Sequence, residues 1–158
     1  VDQLRKLLQS LALLDAIISP EWEYRMYSFN SHWSTGERLA SMRNGSGDEF
    51  FALFSDSGCF VKGFAHESPM SSFQCDPPES WPGMFDGLPH EFHAATAEPA
   101  FSPEAVSFCF WRRHGDQSWS HGQVDFIEGD DPDGSEALLC LLDGNPQSYI
   151  SYTDLSLK

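Results

Sequence analysis

The stretch from Trp22 to His66 confines this chain more than any other, because it alternates with a period of two and is cut by two strong turn signals. In "WEYRMYSF", Trp22, Tyr24, Met26 and Ser28 share one face, and Glu23, Arg25, Tyr27 and Phe29 share the other. "ERLASMR" reads as a second strand that ends in the turn Asn44-Gly45-Ser46-Gly47-Asp48. "EFFALFS" is apolar on both faces, as a central strand covered on each side must be. Ser55-Asp56-Ser57-Gly58 turns the chain again, and "CFVKGFAHE" returns. Strands joined by turns this short pair antiparallel, since a parallel neighbour needs a crossover of about a dozen residues or more. The region is a meander.

Other elements surround it. In "DQLRKLLQSLALLDAII", Leu4, Leu7, Leu8, Leu11, Leu14 and Ile18 recur at spacings of three and four, which predicts an amphipathic helix over residues 2–18. Asp2 is the expected N-cap, and Ser19-Pro20 stops the helix. Residues 67–104 hold seven of the ten prolines, so regular structure there must be short. Within them "SWPGMFDGLP" reads as a loop with Trp81, Met84, Phe85 and Leu88 tucked in, and Pro89 opens a helix running to about Glu98. "AVSFCFWRR" is apolar on both faces and predicts another interior strand. "GSEALLCLLDG" predicts a short helix started by Gly134 or Ser135 and ended by Gly144, and Pro146 to Leu157 reads as a last helix. The fold expected is α+β, a single domain over residues 1–158. Its N-terminal helix packs on an antiparallel sheet of five or six strands, with short helices in the C-terminal half.

Composition limits what such a domain can do. Aromatic residues make up 14% of the chain, enough rings to build a core and to exclude disorder. The net charge is −15, and the bases are unevenly placed. Residues 63–111 carry seven acids and no Lys or Arg; Arg112 and Arg113 then stand together, and residues 114–157 carry nine acids and no base. Such a surface repels nucleic-acid phosphates and anionic lipid and attracts basic partners. No apolar run reaches membrane-spanning length and no secretory leader is legible, so a cytoplasmic setting is expected. There the four cysteines would be free thiols, with Cys59, Cys109 and Cys140 buried among apolar neighbours.

The blocks "FFALFSDSGCFVKGFAHES", "WPGMFDGLP", "WRRHGD" and "GDDPDGSEALLCLLDG" resemble those of a family of uncharacterised small bacterial α+β proteins, over Trp22 to Gly144. The resemblance implies a small bacterial domain and transfers no catalytic residue. By size, acidity and fold class the chain also resembles the immunity proteins that neutralise secreted bacterial toxins.

Three stretches carry residues suited to chemistry. "FWRRHGDQSWSH", residues 110–121, offers His114 with Asp116 as a base and its orienting carboxylate, and Ser118 or Ser120 as nucleophile. No nucleophile elbow accompanies them. On a strand Arg112 and Arg113 face opposite ways, and each is suited to pair with a nearby carboxylate. "PHEFH" sets His90 and His93 three apart, whereas the zincin pattern needs four, and no third ligand accompanies them. "EGDDPDGSE" offers Glu128, Asp130, Asp131, Asp133 and Glu136, oxygen enough for calcium but not in EF-hand order. The same acids suit the start of the following helix. The reading adopted is a non-enzymatic interaction module, immunity-like, that binds a basic protein. Its partner-binding residues are Arg112, Arg113, Trp119, Asp130, Asp131 and Asp133. No cofactor and no metal set is assigned. A small hydrolase near residues 112–121 and a calcium binder through residues 128–136 are the alternatives.

Overall fold

The computed structural model describes residues 1–156, with the side chains of residues 1–152. Six antiparallel strands lie in chain order: β1 (Tyr27–Ser34), β2 (Glu37–Arg43), β3 (Glu49–Phe54), β4 (Gly58–Phe64), β5 (Phe108–Arg113) and β6 (Ser120–His121). The meander expected from the alternation is therefore present, and "AVSFCFWRR" extends it on the far side of β4. One correction concerns its start. Trp22–Tyr24 is a single 3₁₀ turn with no buried residue, and the strand begins only at Tyr27, whose ring is buried.

The sheet is covered on both faces, which explains why β3 and β4 read as apolar throughout. Phe50, Ala52, Phe54, Cys59, Val61 and Phe108 point to one face, against α1 (Asp2–Ile18), α3 (Ser135–Leu139) and α4 (Pro146–Ser156). Phe51, Leu53, Phe60, Cys109 and Trp111 point to the other, where the proline-rich stretch supplies Met84, Leu88, Phe92, Phe101 and Val106. That stretch contains only short 3₁₀ turns and the four-residue α2 (His93–Thr96), yet it forms a complete third layer. Rings join the layers: Phe101 stacks on Phe51 at 5.2 Å between centroids and on Trp33 at 5.7 Å, and Phe60 on Phe92 at 6.1 Å. The expected helix over 90–98 divides into the turn His90–Phe92 and α2, with Pro89 at the N-cap. The last helix covers Pro146–Ser156; Leu157, the end expected for it, lies outside the described residues.

The helix α1 matches its expected span, but two details differ. Val1, not Asp2, is the N-cap, and the Asp2 carboxylate accepts from the Arg5 guanidinium at 3.2 Å instead. That bond holds the Asp2 carboxyl below its ordinary range. The buried stripe runs through Leu8 and Leu11 to Asp15, whereas Leu14 and Ile18 stay exposed. A carboxylate can end an apolar stripe only if it is hydrogen-bonded. Asp15 Oδ2 accepts from the Tyr27 amide at 2.6 Å, where the chain enters the sheet, and Oδ1 accepts from the Tyr149 hydroxyl of α4. Asp15 therefore links α1, β1 and α4 in one buried network. Asp15→Asn leaves an acceptor for only one of the two donors and is expected to lower stability by about 1–2 kcal/mol. Urea unfolding measures that loss. Hydrogen exchange should show α4 loosening ahead of the sheet.

Of the cysteines, Cys59 and Cys109 are buried and Cys75 and Cys140 exposed, and all four are free; Cys140 thus departs from its expected burial. Burial pushes the Cys59 and Cys109 thiols up, so they behave as small apolar groups.

Candidate functional site: an acidic cleft at the sheet's last edge

β6 is only two residues long, and the reason lies in a backbone contact. A Cβ on Gly122 would sit 2.0 Å from the Gly83 carbonyl oxygen and 2.5 Å from that of Met84. Only glycine permits this approach. It draws the chain off the ladder after His121 and onto the loop of residues 81–88. The indole Nε1 of Trp81 donates to the Asp125 carbonyl at 3.2 Å on the same seam. Two segments distant in sequence thereby form opposite walls of an open cleft of about 770 Å³.

One wall brings Asp86, His90 and Glu91; the other brings Trp111 and Arg113 from β5, the turn Gly115–Ser118, then Ser120, His121 and Gln123. Strand alternation decides which arginine enters. Arg113 follows Trp111 onto the cleft face, as the period of two requires, and Arg112 lies on the other face. Both nevertheless converge on Asp116. The Arg113 amide and Nε donate to Asp116 Oδ2 at 2.9 and 3.3 Å, and Arg112 Nε donates to the Asp116 carbonyl at 3.1 Å. The bond from the Arg113 amide, followed by that from its guanidinium, holds the Asp116 carboxyl below its ordinary range.

Asp116 is thus committed to closing its own turn. His114 is not its partner: the imidazole Nε2 sits 3.2 Å from the Ser55 carbonyl of a neighbouring turn, and the ring is exposed. The base and orienting carboxylate read from "RRHGD" are therefore not assembled. Trp119 lies outside the cleft, half-buried, with its ring edge-on to Phe110 at 5.2 Å.

The acids of residues 128–136 are also divided. Asp131 accepts from the amides of Glu136 and Ala137 at 3.0 and 2.9 Å, and Asp133 Oδ1 from that of Ser135 at 3.0 Å. Asp131 with both oxygens, and Asp133 through Oδ1 alone, serve the start of α3, the role its orphan amides favour. Asp130 is exposed. Among the described residues no group of three or more His, Cys, Asp or Glu is arranged to hold a metal ion. His90 and His93 lie 5.6 Å apart by ring centroids, flanking the buried Phe92; His93 Nε2 meets the Leu88 carbonyl at 2.9 Å.

Arg113 and Asp116, singled out from the sequence, are brought into the cleft together. Asp86, Glu91, His121 and Gln123 join them, a set that no spacing in the sequence marks. No helix among the described residues is long and apolar enough to cross a membrane. No family model matches this chain, and neither a curated protein nor a solved structure matches it.

Proposed function

We propose that the chain is a non-enzymatic interaction module, of the immunity-like kind, that docks a basic segment of a partner protein in this cleft. The observation that carries the reading is the cleft's charge. Its walls hold Asp86, Glu91 and Asp116 against one arginine, and that arginine is already paired with Asp116. Asp86 and Glu91 have no ion pair among the described residues. The field of the acidic C-terminal half adds attraction at long range and is screened by salt. Arg112, Trp119, Asp131 and Asp133 act in this reading by holding the turn, the edge strand and α3 in place. Asp130 is exposed and adds to the negative field of the C-terminal half. A cytoplasmic setting, where the four thiols remain reduced, belongs to the same proposal.

Tagged protein incubated with lysate of its source cell at low salt is expected to capture a protein with excess Lys and Arg and to release it at about 0.5 M salt. The double variant Asp86→Lys, Glu91→Lys should lose that capture and keep its thermal midpoint. Capture of a partner without a basic face, or capture indifferent to both salt and charge reversal, would count against the docking mode.

A further inference from the structure

Beside the cleft, and separate from it except for the shared His121, lies a second cavity of about 300 Å³. Its origin is the same departure from the ladder. β6 pairs only with Phe110 and Trp111, so among the described residues β5 has no strand on its outer side at Phe108 and Cys109, where only β4 flanks it. The chain arches outward there over residues 122–134 without regular structure before returning as α3. The space left between sheet edge and arch is walled by Phe108, Phe110, Met84, Val124 and Leu139, with the half-exposed ring of Phe126 at its rim. Phe126 stands edge-on to His121 at 6.0 Å.

One charged group lines this apolar space. Asp133 is 8% exposed, and it faces the cavity together with Ser135. Its Oδ1 holds the Ser135 amide, while Oδ2 has no hydrogen bond or ion pair among the described residues. Among the described residues no fully buried side-chain oxygen lacks a partner, so Oδ2 must reach accessible space. No Lys or Arg among the described residues lies on any wall. An apolar cavity with one convergent polar group is the general form of a small-molecule site. Rings around a lone carboxylate favour a cation and reject an anion.

We propose that this cavity is a binding site for a small aromatic or aliphatic amine, its ammonium on Asp133 Oδ2 and its apolar body among Phe108, Phe110 and Phe126. The size agrees, because a dry cavity of about 150 Å³ already accepts benzene. A ring bearing a two-carbon amine arm fits the larger space. The site requires no protein partner and stands or falls apart from the cleft.

The test is calorimetric titration of the full chain with 2-phenylethylamine, and in parallel with 3-phenylpropanoate, an anion of similar size. The amine is expected to bind saturably at one site, and the anion to bind at least tenfold more weakly. Asp133→Asn keeps an oxygen for the Ser135 amide and should reduce amine affinity about tenfold. Val124→Phe fills the cavity from the irregular arch and should abolish binding, which keeps the test decisive if the Asn variant lowers the thermal midpoint. Absence of saturable amine binding, equal binding of the anion, or binding by Val124→Phe as tight as by the parent would overturn the site.

Discussion

Replacing Lys62 by methionine is expected to cost about 1–3 kcal/mol of stability at pH 7 and markedly more at pH 10. Lys62 is the most deeply buried charged residue among those described, at 1% exposure in the middle of β4. It has no ion pair. Its Nζ donates to two backbone carbonyls of the third layer, Phe101 at 2.7 Å and Ser102 at 2.5 Å. Ser102 holds a left-handed conformation at φ 49°, which few non-glycine residues adopt and which the lysine helps to secure. Methionine keeps the apolar stem and leaves both carbonyls without a donor.

The pH dependence follows from the buried charge. Desolvation lowers the Lys62 pKa from 10.5 to about 8, and the more distant Glu49 carboxylate only partly restores it. Between those values the unfolded chain keeps a proton that the native protein has released. The lysine's contribution is therefore smallest below about pH 8 and grows as pH rises to 10.5. At about 1.4 kcal/mol per unit, the gap between parent and methionine variant should widen by about 3 kcal/mol over that window. A neutral amine also has two N–H groups for its two carbonyls. Alkali weakens both proteins through Cys59, Cys109, Tyr27 and Tyr149, all pushed up chiefly by burial, and the comparison removes that common effect. Urea unfolding at pH 7, 8.5 and 10 measures the gap. A constant gap would mean that Lys62 is not held as a desolvated amine.

Gly122→Ala is expected to cost about 3 kcal/mol and to remove the cleft along with that stability. The added methyl would meet the carbonyl oxygens of Gly83 and Met84, and no rotamer change can relieve a clash with backbone. Residues 81–88 must then move away from the sheet, carrying Met84 and Leu88 out of the core. Binding of a basic segment should fall with it. Gly115→Ala provides the control: it is also in the cleft wall, has nothing within 4 Å and has no positive φ, so it should leave stability unreduced. Thermal midpoints of the two variants give the comparison directly.

The elements were legible where periodicity is strong. Helix α1, the turns at residues 44–48 and 55–58, and the doubly apolar β3, β4 and β5 all stand where alternation and turn residues put them. Trp22–Tyr24 broke the pattern because alternation continues through residues that remain exposed, and periodicity alone does not register exposure. Asp15 broke it in the opposite sense: a carboxylate occupies a core position because partners twelve and 134 residues away satisfy it. The proline-rich stretch reads as irregular and is so, but irregular structure has no period from which its role as a third layer could be seen. The cleft was half legible. "FWRRHGDQSWSH" marked one wall by its density of chemical groups. The facing wall depends on Gly83 and Gly122 meeting across the sheet edge, and two glycines about forty positions apart carry no local signal of contact.

Titrating isotopically labelled protein with a short arginine-rich peptide, and following its backbone amide resonances, tests the cleft as the docking surface most directly. The proposal predicts saturable shifts concentrated at residues 86–91 and 111–123, absent from the Asp86→Lys, Glu91→Lys variant. Shifts spread evenly over the acidic residues, or gathered at 128–136 with the cleft silent, would contradict it.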